Sequence, residues 1–238
     1  MLKKSKIIVN NPYNNSMMQI VTESLQLSID AEKLASLRML TGRSARQALA
    51  EVWGVNTEDL AHYQAIFFDK SLKHLSDTDS FISLSFTAHG YVADAGESID
   101  IDEAQKQIEI DLEIINRESQ WSAEESIYFD QWWPKPHMDN EKKYLEFGVS
   151  LKDYQQKVFN RTLNRLILTR YGHLLLNYSL SEADTAADKP LSYYQGKLDE
   201  IVNVMHIDKG FRYQDVDEDN DMPSRSRLIN LILSSEIF

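Results

Sequence analysis

Cysteine is absent from the chain. That removes disulfides, thiolate nucleophiles, iron–sulfur clusters and thiolate zinc sites together, and it points to a reducing, cytoplasmic setting. Glycine and proline are scarce, at 8 and 5 of 238 residues. So few turn formers argue against many-stranded sandwiches or barrels and for long helices with few connections. Long hydrophobic runs are also missing. Leu166–Leu168 and Leu174–Leu176 fall far short of the roughly 20 residues that cross a bilayer, so no membrane association is expected. The basic N-terminus carries only Ile7, Ile8 and Val9 before polar residues resume, too few for a secretory signal. Chemical motifs are equally sparse. The glycines never form GxGxxG or a phosphate loop, no GxSxG elbow occurs, and the six histidines include no HExxH, so no catalytic residue, metal ligand or cofactor is assigned.

What is present is acid. The chain has 25 basic against 37 acidic side chains, a net charge of −12, which repels nucleic acid and anionic membranes unless a local basic patch overrides it. The hydrophobic pattern predicts an α+β, helix-rich fold. Residues 1–76 form a three-helix N-terminal lobe, and residues 77–238 form a mixed α+β body with a small sheet and long C-terminal helices. In the lobe, Asp30 caps a helix through Leu34, Leu37 and Leu40, a second runs from Ser44 to Trp53, and a third starts at Asn56–Thr57. In the body, Phe81 to Phe86 alternate as a strand, paired with Tyr91–Val92. Residues 108–114 alternate too, although Ala104, Ile108 and Leu112 also fit one helix face. Ser122 and Glu125 make a capping box for a short helix. Ser150 caps a long one through Tyr154, Val158 and Leu166, and two more cover 191–206 and the stretch after Pro223.

Several segments could carry function. RQALAEVWGVNTEDLAHYQA (46–65) reads as a helix-turn-helix, with Ala50 small at the crossing and Gly54 at the turn. Its outward face offers Asn56, Thr57, Glu58, Ala61 and His62 without a single Arg or Lys, which favours a packing unit over DNA docking. Lys157, Arg161 and Arg165 recur every four residues, a basic stripe on the Ser150 helix suited to an acidic protein or nucleic acid, or to internal pairing with the acidic loop Asp215–Asp221. That loop has the 1-3-5 aspartates of a calcium loop but lacks its glycine and its closing glutamate. Asp130 and Glu141-Lys142-Lys143 carry the spacing of a PD-(D/E)xK nuclease, set against a helical context for Asp130. Trp132 and Trp133 lie in an aromatic run that is either core or an interface anchor, and Ile237–Phe238 pose the same choice.

The expectation is a non-enzymatic binding or regulatory protein acting through protein contacts. Lys157, Arg161, Arg165, Trp132 and Trp133 are its binding residues, with a protein partner and nucleic acid as a second partner through the basic stripe. A helix-turn-helix regulator, a metal-dependent nuclease and a structural subunit are the alternatives.

Overall fold

Leu174, Leu175 and Leu176 form an unbroken apolar run because their strand is covered on both faces, so no position along it needs to meet water. The computed structural model describes residues 17–56, 59–93, 98–186 and 189–235. The strands are β1 (Met17–Val21), β2 (Gln26–Asp30), β3 (Leu37–Thr41), β4 (Tyr63–Asp69), β5 (Phe81–Ala88), β6 (Tyr128–Trp132), β7 (His137–Asp139), β8 (Tyr144–Lys152), β9 (Val158–Thr169), β10 (Gly172–Leu180) and β11 (Met205–Ile207). The helices are α1 (Gly42–Val52), α2 (Ile101–Glu118), α3 (Glu182–Ala186), α4 (Leu191–Asn203) and α5 (Leu228–Leu233).

Eight strands make one antiparallel sheet in the order β3-β4-β5-β10-β9-β8-β6, with β7 also paired to β8. The outer side of β8 is shared: β6 takes Val149–Lys152 and β7 takes Tyr144–Glu146. Pro134 and Pro136, which lack an N–H for a ladder, fall in the gap between them. A second sheet, β1-β2-β11, packs with α4 against one face of the large sheet around Leu163, Leu174, Leu176 and Leu198. The opposite face has two covers. Helices α2 and α5 lie over β8, β9 and β10, and α1 lies over β4. Among the described residues no helix is long and apolar enough to cross a membrane.

The helix-rich expectation, with its three-helix lobe and long C-terminal helices, is therefore corrected: the fold is built on two antiparallel sheets. Only the middle helix of the proposed lobe forms, as α1, and Gly54 leaves it with φ +72°. Residues 30–41 are instead the end of β2, a 3-10 turn and β3. The would-be recognition helix is one 3-10 turn, Asp59–His62, running straight into β4, so the described residues of 46–65 form no helix-turn-helix. Its Ile66-Phe67-Phe68 run is buried on both faces, which suits aromatic and β-branched residues in a central strand. The line drawn at residue 76 falls between β4 and β5, which are hydrogen-bonded neighbours. The Ser150 helix is also absent; those residues are β8 and β9.

Other elements match their patterns only in part. Helix α2 buries Ala104, Ile108 and Leu112, the helical rather than the alternating reading of 108–114. Asp100 caps it by accepting from the Glu103 N–H at 3.0 Å. Phe81–Phe86 are in β5, but its partners are β4 and β10, while Tyr91 bridges to Pro223. Ser122 and Glu125 bond to each other in a turn that leads into β6, not into a helix. The final helix starts at Leu228, five residues past Pro223. Ile7–Val9, Thr57, Glu58 and Ile237–Phe238 lie outside the described residues.

The junction of β6 and β8 has no room for a side chain at Gly148. A Cβ there would lie 1.8 Å from the Trp133 carbonyl oxygen and 2.5 Å from that of Thr162, both backbone. Gly148→Ala is expected to lower stability by at least about 2 kcal/mol, because backbone must move. Gly196, exposed within α4 with nothing within 4 Å, is the control. Gly196→Ala is expected to raise stability by about 0.5–1 kcal/mol, and urea denaturation of the two variants measures both.

Candidate binding surface

Strand β9 runs through the large sheet with Arg161, Leu163, Arg165 and Ile167 on the α4 side and Thr162, Asn164, Leu166 and Leu168 on the α2 side. Alternation therefore keeps Arg161 and Arg165 on one face, as a helix would, although the environments along that face differ.

Arg165 is 2% exposed and has Glu146 directly opposite it in register. Its Nε and Nη2 donate to Glu146 Oε2 at 2.9 and 2.5 Å, and its Nη1 donates to Asp199 at 2.6 Å. Gln195 donates to the other Glu146 oxygen at 2.6 Å, and the guanidinium lies over the Tyr144 ring at 4.6 Å. Burial acts to lower the Arg165 pKa, but the Glu146 bond and charge outweigh it, and the pKa is raised. Nothing of this group is left for a partner.

Arg161 differs. It is half-buried, and its guanidinium sits 5.2 Å from the Trp133 ring centre. Its Nε is buried without a hydrogen-bond partner, and no carboxylate pairs with it among the described residues. Trp133 meets Tyr194 edge-on at 5.3 Å, and Tyr194 meets Tyr178 at 5.7 Å and Tyr193 at 5.2 Å. Tyr193 is exposed, with the Lys189 ammonium 4.3 Å from its ring centre. Burial pushes the Tyr178 hydroxyl pKa up, and the Tyr194 pKa is raised for the same first reason. The result is a half-buried cation flanked by aromatic rings, a combination common at binding surfaces.

Lys157, at the same end of β9, is exposed and paired with Glu182 of α3. Trp132 and Trp133 are adjacent in sequence and point to opposite faces. Trp132 is buried under α2, edge-on to Phe129 at 5.7 Å, and Trp133 is on the α4 side. The structure thus brings Arg161 and Trp133 together, keeps Lys157 at the rim, and places Arg165 and Trp132 in the interior. The tyrosines of α4 and β10 and Lys189 were missed by sequence reasoning. Lys189-Pro190 followed by the Tyr193–Tyr194 pair at a helix start was the available signal.

The acidic loop is internally bonded. Arg170 donates to both Asp221 oxygens at 2.7 and 2.9 Å, and Asp215 accepts from the Gly210 and Arg212 N–H groups. No cluster of three metal-ligating side chains occurs among the described residues. Asp130 lies on β6 and Glu141 on the turn between β7 and β8.

A second polar cluster was invisible to spacing because its members come from distant parts of the chain. His89 Nδ1 is 2.7 Å from Ser224 Oγ, and His89 Nε2 is 2.7 Å from His173 Nδ1. Ser224 is held by its N–H on the Tyr91 carbonyl at 2.7 Å, with Met222 accepting from Tyr91 at 3.2 Å. Gly90, at φ +88°, lets this segment cross, since a Cβ would lie 2.3 Å from the Met222 oxygen. Burial, then the nearby His89, lowers the His173 pKa to about 3, and burial also lowers that of His89.

Removing Glu146 would leave Arg165 buried with only the half-exposed Asp199. Glu146→Leu is expected to cost about 3–5 kcal/mol, and the double variant with Arg165→Met to regain most of it, as read by thermal and urea unfolding. His173 stays neutral in the folded chain while its unfolded counterpart protonates below its ordinary pKa of 6.5. Its contribution is therefore complete above pH 6.5 and is lost as pH falls toward 3, by at most about 1.4 kcal/mol per pH unit. Melting temperatures measured from pH 7 to 4 are expected to fall less steeply for His173→Gln than for the unsubstituted chain.

Comparison with known proteins adds family membership. No curated protein matches the chain. Among solved structures, the solution structure of cyanobacterial PsbP from Synechocystis sp. PCC 6803 aligns with a TM-score of 0.38 and 8% identity, over 83% of this chain and 96% of that one. A likeness that loose carries no function across. Residues 13–237 match the family described as "Protein of unknown function (DUF2167)". With nearly its whole length inside that match, the chain belongs to the DUF2167 family.

Proposed function

We propose that this chain is a non-enzymatic binding protein whose α4 face docks a protein segment presenting a carboxylate beside an apolar side chain. The observation that carries the reading is Arg161. Of the five basic residues between 151 and 173, Arg165 and Arg170 face Glu146 and Asp221, Lys157 faces Glu182, and Lys152 and Arg161 have no ion-paired carboxylate among the described residues. Arg161 is half-buried against Trp133 with a buried, unbonded Nε and no carboxylate among the described residues. A buried donor without an acceptor is costly, by about 1–3 kcal/mol, and a partner's carboxylate would remove that cost. The neighbouring Trp133 and Tyr193, backed by the buried Tyr194, supply rigid aromatic area, and Trp, Tyr and Arg are the residues that dominate interface energies. A cytoplasmic setting belongs to the same proposal and rests on the absence of cysteine.

The test is quantitative capture of partners by the tagged full chain, followed by titration of the purified partner. Arg161→Glu and Tyr193→Ser are expected to weaken binding at least about tenfold, roughly 1.4 kcal/mol, with melting temperature nearly unchanged. Arg43→Glu, on α1 across the sheet, is expected to bind normally. Equal binding by Arg161→Glu would sink the proposal. A parallel collapse of melting temperature would instead mark Arg161 as structural.

A further inference from the structure

Beyond the α4 patch, the opposite end of β9 holds a basin that the proposed function leaves unused. It lies about 20 Å from Arg161, six residues further along the strand. The basin is an open hollow of about 220 Å³ between the β7–β8 turn, the end of β9, the α4–β11 junction and the loop after β11. Ile167, Val202 and Met205 give it an apolar floor, and Lys142, Lys143, His206 and Arg212 stand around it.

Four basic side chains line this one hollow in a chain of net charge −12. The neighbouring carboxylates of Asp215 and Asp139 are bonded to backbone, and Asp139 also feels the Lys142 charge. Asp215 accepts from the Gly210 and Arg212 backbone N–H groups, and Asp139 accepts from those of Glu141 and Lys142. Asp208 lies 3.5 Å from His206. Among the described residues no carboxylate lies within ion-pair distance of the Lys142, Lys143 or Arg212 side chain. Arg212 is oriented all the same: its Nε donates to the Ile207 carbonyl at 2.8 Å, leaving both Nη groups uncommitted. Lys142 and Lys143 are held near the Tyr144 and Tyr213 rings, at 5.9 and 5.7 Å from the ring centres.

Lys143 adds an independent sign. Its backbone is left-handed, φ +54°, a region a lysine seldom adopts, and its carbonyl is tied to the Leu168 N–H at 2.9 Å. Backbone held in that region is the kind of local strain that clusters at ligand sites. Glycine would suit the turn better.

We propose that this basin binds an organic phosphomonoester, with the phosphate among Lys142, Lys143 and Arg212 and the apolar body against Ile167 and Met205. Three unpaired cations match a group carrying about −1.5 to −2 charge better than a single carboxylate does, and the free Arg212 fork suits phosphate oxygens. The volume is below the roughly 300 Å³ at which ligand pockets begin, so the ligand is small or only its phosphate end is enclosed.

The experiment is titration of the full chain with 1-naphthyl phosphate, followed by naphthyl fluorescence and calorimetry, with 1-naphthol and inorganic phosphate as separate arms. Saturable one-to-one binding is expected for 1-naphthyl phosphate, at least about tenfold weaker for each of the other two. Lys143→Glu and Arg212→Glu are expected to weaken it by a similar factor, and Arg161→Glu to leave it unchanged. Lys143→Gly removes the cation while relieving the backbone, so it is expected to lose affinity with no loss of melting temperature. Absence of saturable binding, equal affinity for 1-naphthol, or full affinity in Lys143→Gly would each overturn the proposal. None of these outcomes bears on the α4 patch, whose variant serves as the unaffected control.

Discussion

Covering the large sheet on both faces is the constraint on which the rest of the structure depends. Once α4 and the small sheet close one side and α2, α5 and α1 the other, each polar group on the central strands must find a partner within the protein or leave a donor or acceptor unmet. The Arg165–Glu146 pair is the clearest response. Two charges that would each be prohibitive alone face each other across one register position, with Asp199 and Gln195 completing their hydrogen bonds. On the α2 side the buried Asn177 Nδ2 donates to Asn164 Oδ1 at 2.8 Å. At the start of β3, Glu200 of α4 accepts from the Ser36 and Leu37 N–H groups, and Lys197 donates to Ser36 and Asp69. These polar contacts fasten α4 to the sheet in a single position.

Against that background, two places hold positive charge with no ion-paired carboxylate among the described residues. Arg161 stands at one end of β9 with an unmet Nε and aromatic rings around it. At the other end, Lys142, Lys143 and Arg212 collect positive charge over an apolar floor. The middle of β9 is thus neutralised by Glu146 and Asp199, while Arg161 near one end and Lys142, Lys143 and Arg212 beside the other have no ion-paired carboxylate among the described residues. The excess of acid elsewhere makes both exceptions more pointed, since an internal carboxylate was available in abundance.

Legibility in the sequence followed how degenerate each pattern is. Helix α4 was readable from its helical pattern, whereas 108–114 fitted both a strand and a helix, and only the joint burial of Ala104, Ile108 and Leu112 decides for α2. The stretch from Lys157 to Arg165 was misread because a four-residue step is two strand repeats and also nearly one helical turn. β4 and β10 were obscured for a different reason: strands covered on both faces lose their alternation and read as plain apolar runs. Of the binding surface, Arg161 and Trp133 were singled out by type. Their separation from Arg165 and Trp132 could not be, because it depends on which element covers each face.

By itself, the sequence determined the chemistry available: no thiol, an acidic surface, a local excess of base between 151 and 173, and aromatic pairs at 132–133 and 193–194. Those are properties of composition and short-range order. The tertiary structure alone decided which of these groups are spent and which are free. Charge neutralisation is set by distance between segments far apart in the chain, such as Glu146 against Arg165 or Asp221 against Arg170, and no local pattern encodes that distance.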